Sequence, residues 1–233
     1  MKNKIISVIV NIALCAIVAC ISVVGFVSGD AAEVTSNGEN LYYRSEKANG
    51  VSLMFNVYQN TENVYKIMDI LDGENAKATF FLGGCWADDN VDCVRDIVAR
   101  GHEVGSHGYF HKDHAKMNYE QNLAEIRPSV KLINALIGGE IVLFAPPSGA
   151  FNDSTVTAAT SLGLKTIMWS RDTIDWRDSD VSLIYNRATK GLISGEFILM
   201  HPMDVTVKAL PQILTYIREN GLTAVTVSYN IGE

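Results

Sequence analysis

Gly101-His102-Glu103-Val104-Gly105-Ser106-His107-Gly108-Tyr109-Phe110-His111 is a short apolar run that gives way, at a serine and a glycine, to two imidazoles four residues apart. A buried strand followed at once by flexible, chemistry-bearing residues is what a parallel sheet produces, because its ligands meet the strand C-terminal ends. The same punctuation recurs on both sides. Strand-like runs stand at 51–55, 78–81, 103–105, 141–144, 166–169, 197–200 and 224–227. Helical patterns fall between them at 62–71, 91–100, 119–136, 154–162, 181–189 and 206–219. Thr61, Asn118 and Asp153 are suited to cap three of these helices, and Pro128 predicts a kink or break in the third. About seven strand–helix alternations predict an α/β domain, and closing the sheet into a distorted (β/α) barrel leaves no buried edge unpaired.

Before this domain the composition changes. Residues 5–27 are almost unbroken apolar and follow Lys2 and Lys4, which predicts a transmembrane helix with the rest of the chain extracytoplasmic. A cleaved signal peptide is the competing reading, and Ser28-Gly29-Asp30-Ala31-Ala32 is a mediocre cleavage site. Ile17-Val18-Ala19-Cys20 has the look of a lipidation box, but the apolar run continues past the cysteine. The expected organisation is therefore an anchor or signal over 1–28, a small-residue linker over 29–49 and one domain over 50–233. The expected location is the cell membrane, single-pass, or outside the cell if the segment is cleaved.

The formal net charge of −7 disfavours nucleic acid and anionic lipid surfaces, and suits a neutral or amine-bearing ligand. Cys85 and Cys93 lie eight apart in the exported part, where either a disulfide or two free thiols is open.

The chemistry sits after the strands. His107 and His111 are spaced either to reach one cation from one side of a turn or, as a lone pair four apart, simply to pack in the core. After the fifth run comes Trp169-Ser170-Arg171-Asp172-Thr173-Ile174-Asp175-Trp176, and after the sixth Leu199-Met200-His201-Pro202. An Asp and a His on neighbouring strand ends form either a buried ion pair or a carboxylate–imidazole pair able to act as general acid. Between them, Phe144-Ala145-Pro146-Pro147-Ser148-Gly149 makes a stiff turn near the pocket mouth.

In this order the motifs resemble the polysaccharide deacetylases with the NodB-homology domain, carbohydrate esterase family four, over nearly all of residues 50–230. The resemblance implies a divalent metal, zinc by preference, held by His107 and His111. It implies that Asp175 orients His201, that His201 protonates the leaving amine, and that Trp176, Leu199 and Pro147 line the substrate pocket. It also implies N-acetyl removal from cell-wall or another N-acetylated polysaccharide.

Three positions depart from that family. Asn56 and Val57 stand where it has two aspartates, the base and a metal ligand, and Ala145 stands where it has arginine. An amide is essentially non-basic and valine cannot ligate. Glu62, six residues past Asn56, is a candidate replacement as third metal ligand or base, against the plain reading of a first-turn glutamate favoured by the helix dipole. Asp113 is a second candidate carboxylate. Asn56 is expected to orient water or substrate, and Tyr58 to offer a hydroxyl to a tetrahedral intermediate. The retained His107, His111, Asp175 and His201 favour a divergent metal-dependent hydrolase that removes N-acetyl groups, and the alternative is a pseudoenzyme that binds glycan or a partner without turnover.

Overall fold

The computed structural model describes residues 40–232. The apolar run 5–27, with the anchor and cleavage readings placed on it, lies outside the described residues. Among those described, no helix is long and apolar enough to cross a membrane.

Among the described residues nine strands make one sheet, and every ladder between them is parallel: β1 (Leu41–Tyr42), β2 (Val51–Val57), β3 (Thr79–Leu82), β4 (Glu103–Ser106), β5 (Leu143–Phe144), β6 (Lys165–Ile167), β7 (Arg171–Asp172), β8 (Phe197–Met200) and β9 (Ala224–Val225). Their order is β1-β6-β5-β4-β3-β2-β8-β7, with β9 alongside β2. β6 and β7 lie toward opposite ends of that order, yet only Met168, Trp169 and Ser170 separate them in sequence. A sheet can satisfy both only by curling round, so the architecture is an incomplete (β/α) barrel.

β2 shows why the sequence folds this way. All seven of its residues are buried, as a strand covered on both faces requires. Leu53, Phe55 and Val57 pack outward into the helix-side core, while Met54 joins Phe81, Leu143, Ile167, Phe197 and Leu199 in the barrel interior. Asn56 follows Met54 on the inward side, so the period-two alternation of a strand delivers it to the barrel mouth.

The helices are α1 (Thr61–Gly73), α2 (Gly84–Asp89), α3 (Val91–Ala99), α4 (Tyr119–Ile137), α5 (Asp153–Ser161), α6 (Val181–Thr189), α7 (Asp204–Glu219) and α8 (Val227–Ile231). All seven expected strands and all six expected helices occur. The short elements β1, β7, α2 and α8 are additional, and the last strand stops at Val225 because Val227 opens α8.

Several details differ from expectation. Asn118 caps α4 in a capping box with Gln121, but the caps of α1 and α5 are Asn60 and Asn152, one residue before Thr61 and Asp153. Thr61 is spent instead on Asn90, which it reaches at 2.7 Å. α4 runs unbroken through Pro128, its buried face outweighing one lost backbone bond. Cys85 and Cys93 are free thiols.

The end of the expected linker also belongs to the fold. β1 pairs with β6, Arg44 bridges antiparallel to Glu196, and buried Ser45 donates its hydroxyl to the Asn230 carbonyl at 2.5 Å. A polar, aperiodic stretch hides such pairing because its partners are all remote in sequence.

Candidate active site

At the C-terminal ends of the strands a cavity of about 410 Å³ opens, with Asn56, His107, His111, Asp172, Leu199 and His201 among its walls. Tyr58, Trp169 and Trp176 add aromatic surface, and Gln59, Ser148, Pro202 and Met203 complete it.

His107 leaves β4 fully enclosed, its Nδ1–H donating to the Ala145 carbonyl at 2.8 Å. That bond fixes the tautomer and turns Nε2 toward the cavity as a lone-pair donor. Burial, and then the adjacent His111 ring, push the His107 imidazolium down to about 3, so the ring is neutral. The His111 ring lies edge-on to it, 5.2 Å between centroids, and burial lowers its pKa as well. His111 holds a left-handed φ of 54°. The loop keeps that conformation because Glu125, buried on α4, accepts the Phe110 N–H, and because Gly108, at φ 72°, lets the chain pass 3.2 Å from His114 Nε2 where a Cβ would stand.

Across the cavity Asp175 is 2% exposed and fully used. It accepts the His201 backbone N–H at 2.7 Å, the His201 Nδ1–H at 2.8 Å and the Thr206 hydroxyl. Thr173 donates its hydroxyl to the Leu199 carbonyl at 2.8 Å, tying this segment to β8. His201 is thus held with its other nitrogen toward the cavity, as a proton donor must be.

The remaining expected residues divide. Trp176 and Leu199 line the cavity. Pro147 does not: it is buried behind the histidine loop, near Gly108, and Ser148 takes its place at the wall. Tyr58 lines the cavity, but its hydroxyl donates to the Tyr109 carbonyl at 3.1 Å and accepts the Cys85 thiol at 2.7 Å, which leaves no proton for an intermediate. Ala145 is fully buried in the barrel interior.

Neither replacement carboxylate arrives. Glu62 lies on the solvated face of α1, its side chain 83% exposed and paired with Lys66 at 2.6 Å. Asp113 caps the turn at Ala115 and pairs with Lys116 at 2.8 Å. Among the described residues no group of three His, Cys, Asp or Glu side chains is arranged to hold an ion. Two imidazoles and an amide are a weak donor set for zinc, which takes three protein ligands at a catalytic site. The implied metal does not fit these residues as they stand.

Sequence reasoning missed Asp172 and Glu125. Asp172 was hidden in a motif dominated by Asp175 and Trp176. Glu125 had a signal: it falls on the buried face of α4 with Asn122, Ile126 and Ser129, where a charge needs a reason.

Comparison with known proteins agrees with this geometry. The family model described as polysaccharide deacetylase matches residues 44–167. An uncharacterized protein of Bacillus subtilis, YlxY, is 35% identical over 178 residues, which are 76% of this chain and 56% of that protein. The chain thus spans little more than half of that relative. A peptidoglycan-N-acetylglucosamine deacetylase of Bacillus cereus is 32% identical over 169 residues, 70% of this chain and 79% of that protein. The crystal structure of a wild-type CE4 family pseudoenzyme from Bacillus anthracis superimposes with a TM-score of 0.80 at 31% identity, over 83% of this chain and 69% of that one. A mutant of the same pseudoenzyme, with restored enzymatic activity, gives a TM-score of 0.80 at 30% identity, over 83% and 71%.

Proposed function

The chain belongs to the polysaccharide deacetylase family, and from that premise we propose that it binds an amino-sugar polysaccharide of the cell wall in this cavity and holds it without hydrolysing it. One observation carries the reading. Asn56 and Val57 occupy the positions of the family's base and carboxylate ligand, and neither expected replacement has moved in to activate water: Glu62 and Asp113 face solvent, Asp175 is consumed by His201, and Asp172, the one carboxylate among the described lining residues, is held by the Ile174 N–H. Asn56 presents an amide to the cavity where the family has its base, and an amide is unsuited to take a proton from water. Similarity to a pseudoenzyme of the family supports the same view.

The second reading is metal-dependent removal of N-acetyl groups from cell-wall glycan, a hydrolase acting on amide bonds. The intact Asp175–His201 pair favours it, since a binder has no evident need of an oriented proton donor. In this reading His201 protonates the departing amine, and Trp176 and Leu199 enclose the acetyl group. Both readings place the domain outside the cytoplasm, tethered through residues 5–27, where the polymer is.

Incubating the full chain with N-acetylglucosamine oligomers and added zinc, while following acetate release and oligomer binding separately, decides between them. Binding without acetate is the expected result. Catalytic acetate release returns the hydrolase, and absence of both removes the glycan.

A further inference from the structure

Asp172 has no part in either reading above, yet it faces the same cavity. It ends β7, and its Oδ1 accepts the Ile174 N–H at 2.8 Å, which fixes the carboxylate. Its other oxygen has no hydrogen-bond partner among the described residues. Asn56, 5% exposed, also lines that cavity from β2, with its Oδ1 enclosed and unpartnered. His107, with Nδ1–H spent on Ala145, turns Nε2 to the cavity as an acceptor. The walls thus hold a carboxylate oxygen and an imidazole lone pair without partners, and among the described lining residues there is no lysine or arginine.

A ligand that satisfies such walls must bring several donors and a positive charge. An N-acetyl group brings one N–H, no charge and a carbonyl that adds a further acceptor. A protonated primary amine brings three donors and a charge that no described lining residue supplies, and it also gains from the face of Trp169, the Trp176 ring already carrying the Arg177 guanidinium 5.9 Å from its centroid. We propose that the cavity selects amino-sugar units whose nitrogen is free and protonated, with Asp172 as the residue that sets this preference over N-acetylated units. The inference rests on the glycan-binding reading and names the form of glycan bound. The net charge of −7 adds a long-range attraction for a polymer bearing repeated ammonium groups.

The test is calorimetric titration of the full chain with a glucosamine tetramer and an N-acetylglucosamine tetramer, at mildly acidic pH and in chelator, for the unaltered protein and Asp172→Asn. The substitution keeps an acceptor for Ile174 N–H. The free-amine tetramer is expected to bind roughly tenfold tighter or more, a charge-assisted hydrogen bond being worth that much. The preference should vanish in Asp172→Asn while affinity for the acetylated tetramer holds. In the unaltered protein added salt should weaken only the free-amine tetramer, a readout independent of how the variant folds. Equal or tighter binding of the acetylated tetramer overturns the inference and leaves the glycan reading intact. Binding of neither overturns both.

Discussion

Val57 is the residue at which the fold and the family's chemistry pull apart. Its side chain is fully buried in the helix-side core, among residues that hold β2 against the helices. Restoring a carboxylate there puts a charge among apolar groups, so Val57→Asp alone should destabilise the protein by about 3 kcal/mol. Asn56→Asp, on the inward face with His107 and His111, should instead take up zinc and be stabilised by it. Thermal unfolding with and without the ion checks both statements, and an Asn56→Asp variant indifferent to zinc refutes the second. Glu62→Ala, by contrast, should cost no more than about 0.5 kcal/mol and leave zinc binding as it was, because it removes only an exposed i,i+4 pair. His102 gives the pH dependence. It is 4% exposed with neither ring nitrogen bonded, and burial first, then Lys77, push it from 6.5 down to about 4. A histidine lowered in the folded state takes up its proton first in the unfolded chain. The stability it preserves is therefore complete above about pH 6.5 and is lost as pH falls toward 4. His102→Leu should gain on the unaltered protein by about 2–3 kcal/mol between pH 7 and pH 4.5, read by urea unfolding. Of these positions, Asn56 and Val57 stood out in sequence because a motif framed them. His102 did not, since burial of a lone histidine has no local signature.

The elements were legible to the degree that their periodicity was their own. β2, β3 and β8 are continuous apolar runs, and α4 and α7 carry long amphipathic stripes, so hydrophobic pattern alone located them. β1 and β7, two residues each, have no pattern to read, and they exist because neighbours offer ladders. Pro128 shows the opposite failure, where a local rule was correct about cost and wrong about outcome. The proline is exposed on α4 and removes one helical N–H, while Leu123, Ile126, Val130 and Ile133 hold the helix on its buried side. Pro128→Ala returns that bond without touching the core, so it should stabilise the protein by about 1–3 kcal/mol. Denaturant midpoints compare the two, and an unchanged or lower midpoint would mean that the proline is accommodated without cost.

At the scale of the molecule, the question is what keeps an incomplete barrel from opening at its seam. β6 and β8 are not paired with each other, and the chain bridges them in two ways. Past β6, the Ser170 N–H reaches the Phe197 carbonyl at 3.2 Å before β7 joins β8. On the other side, β1 covers the free edge of β6, the Tyr42 carbonyl takes the Met168 N–H at 2.7 Å, and Ser45 N–H donates to Gly195 at 2.7 Å on the approach to β8. Residues 41–45 are thus a clasp across the seam, and Tyr42 also packs on the barrel interior. Their removal would expose the edge of β6 and leave the Gly195 turn without its partner. A chain starting at residue 50 should therefore be less stable than one starting at residue 36, by about 2–4 kcal/mol from a few hydrogen bonds and one aromatic side chain. Because Trp169 and Asp172 stand on the segment crossing the same seam, the shorter chain should also bind the glucosamine tetramer more weakly. Equal unfolding midpoints for the two lengths would show that β7 and β8 close the barrel unaided. The clasp would then be a covering of the edge and not a support of the site.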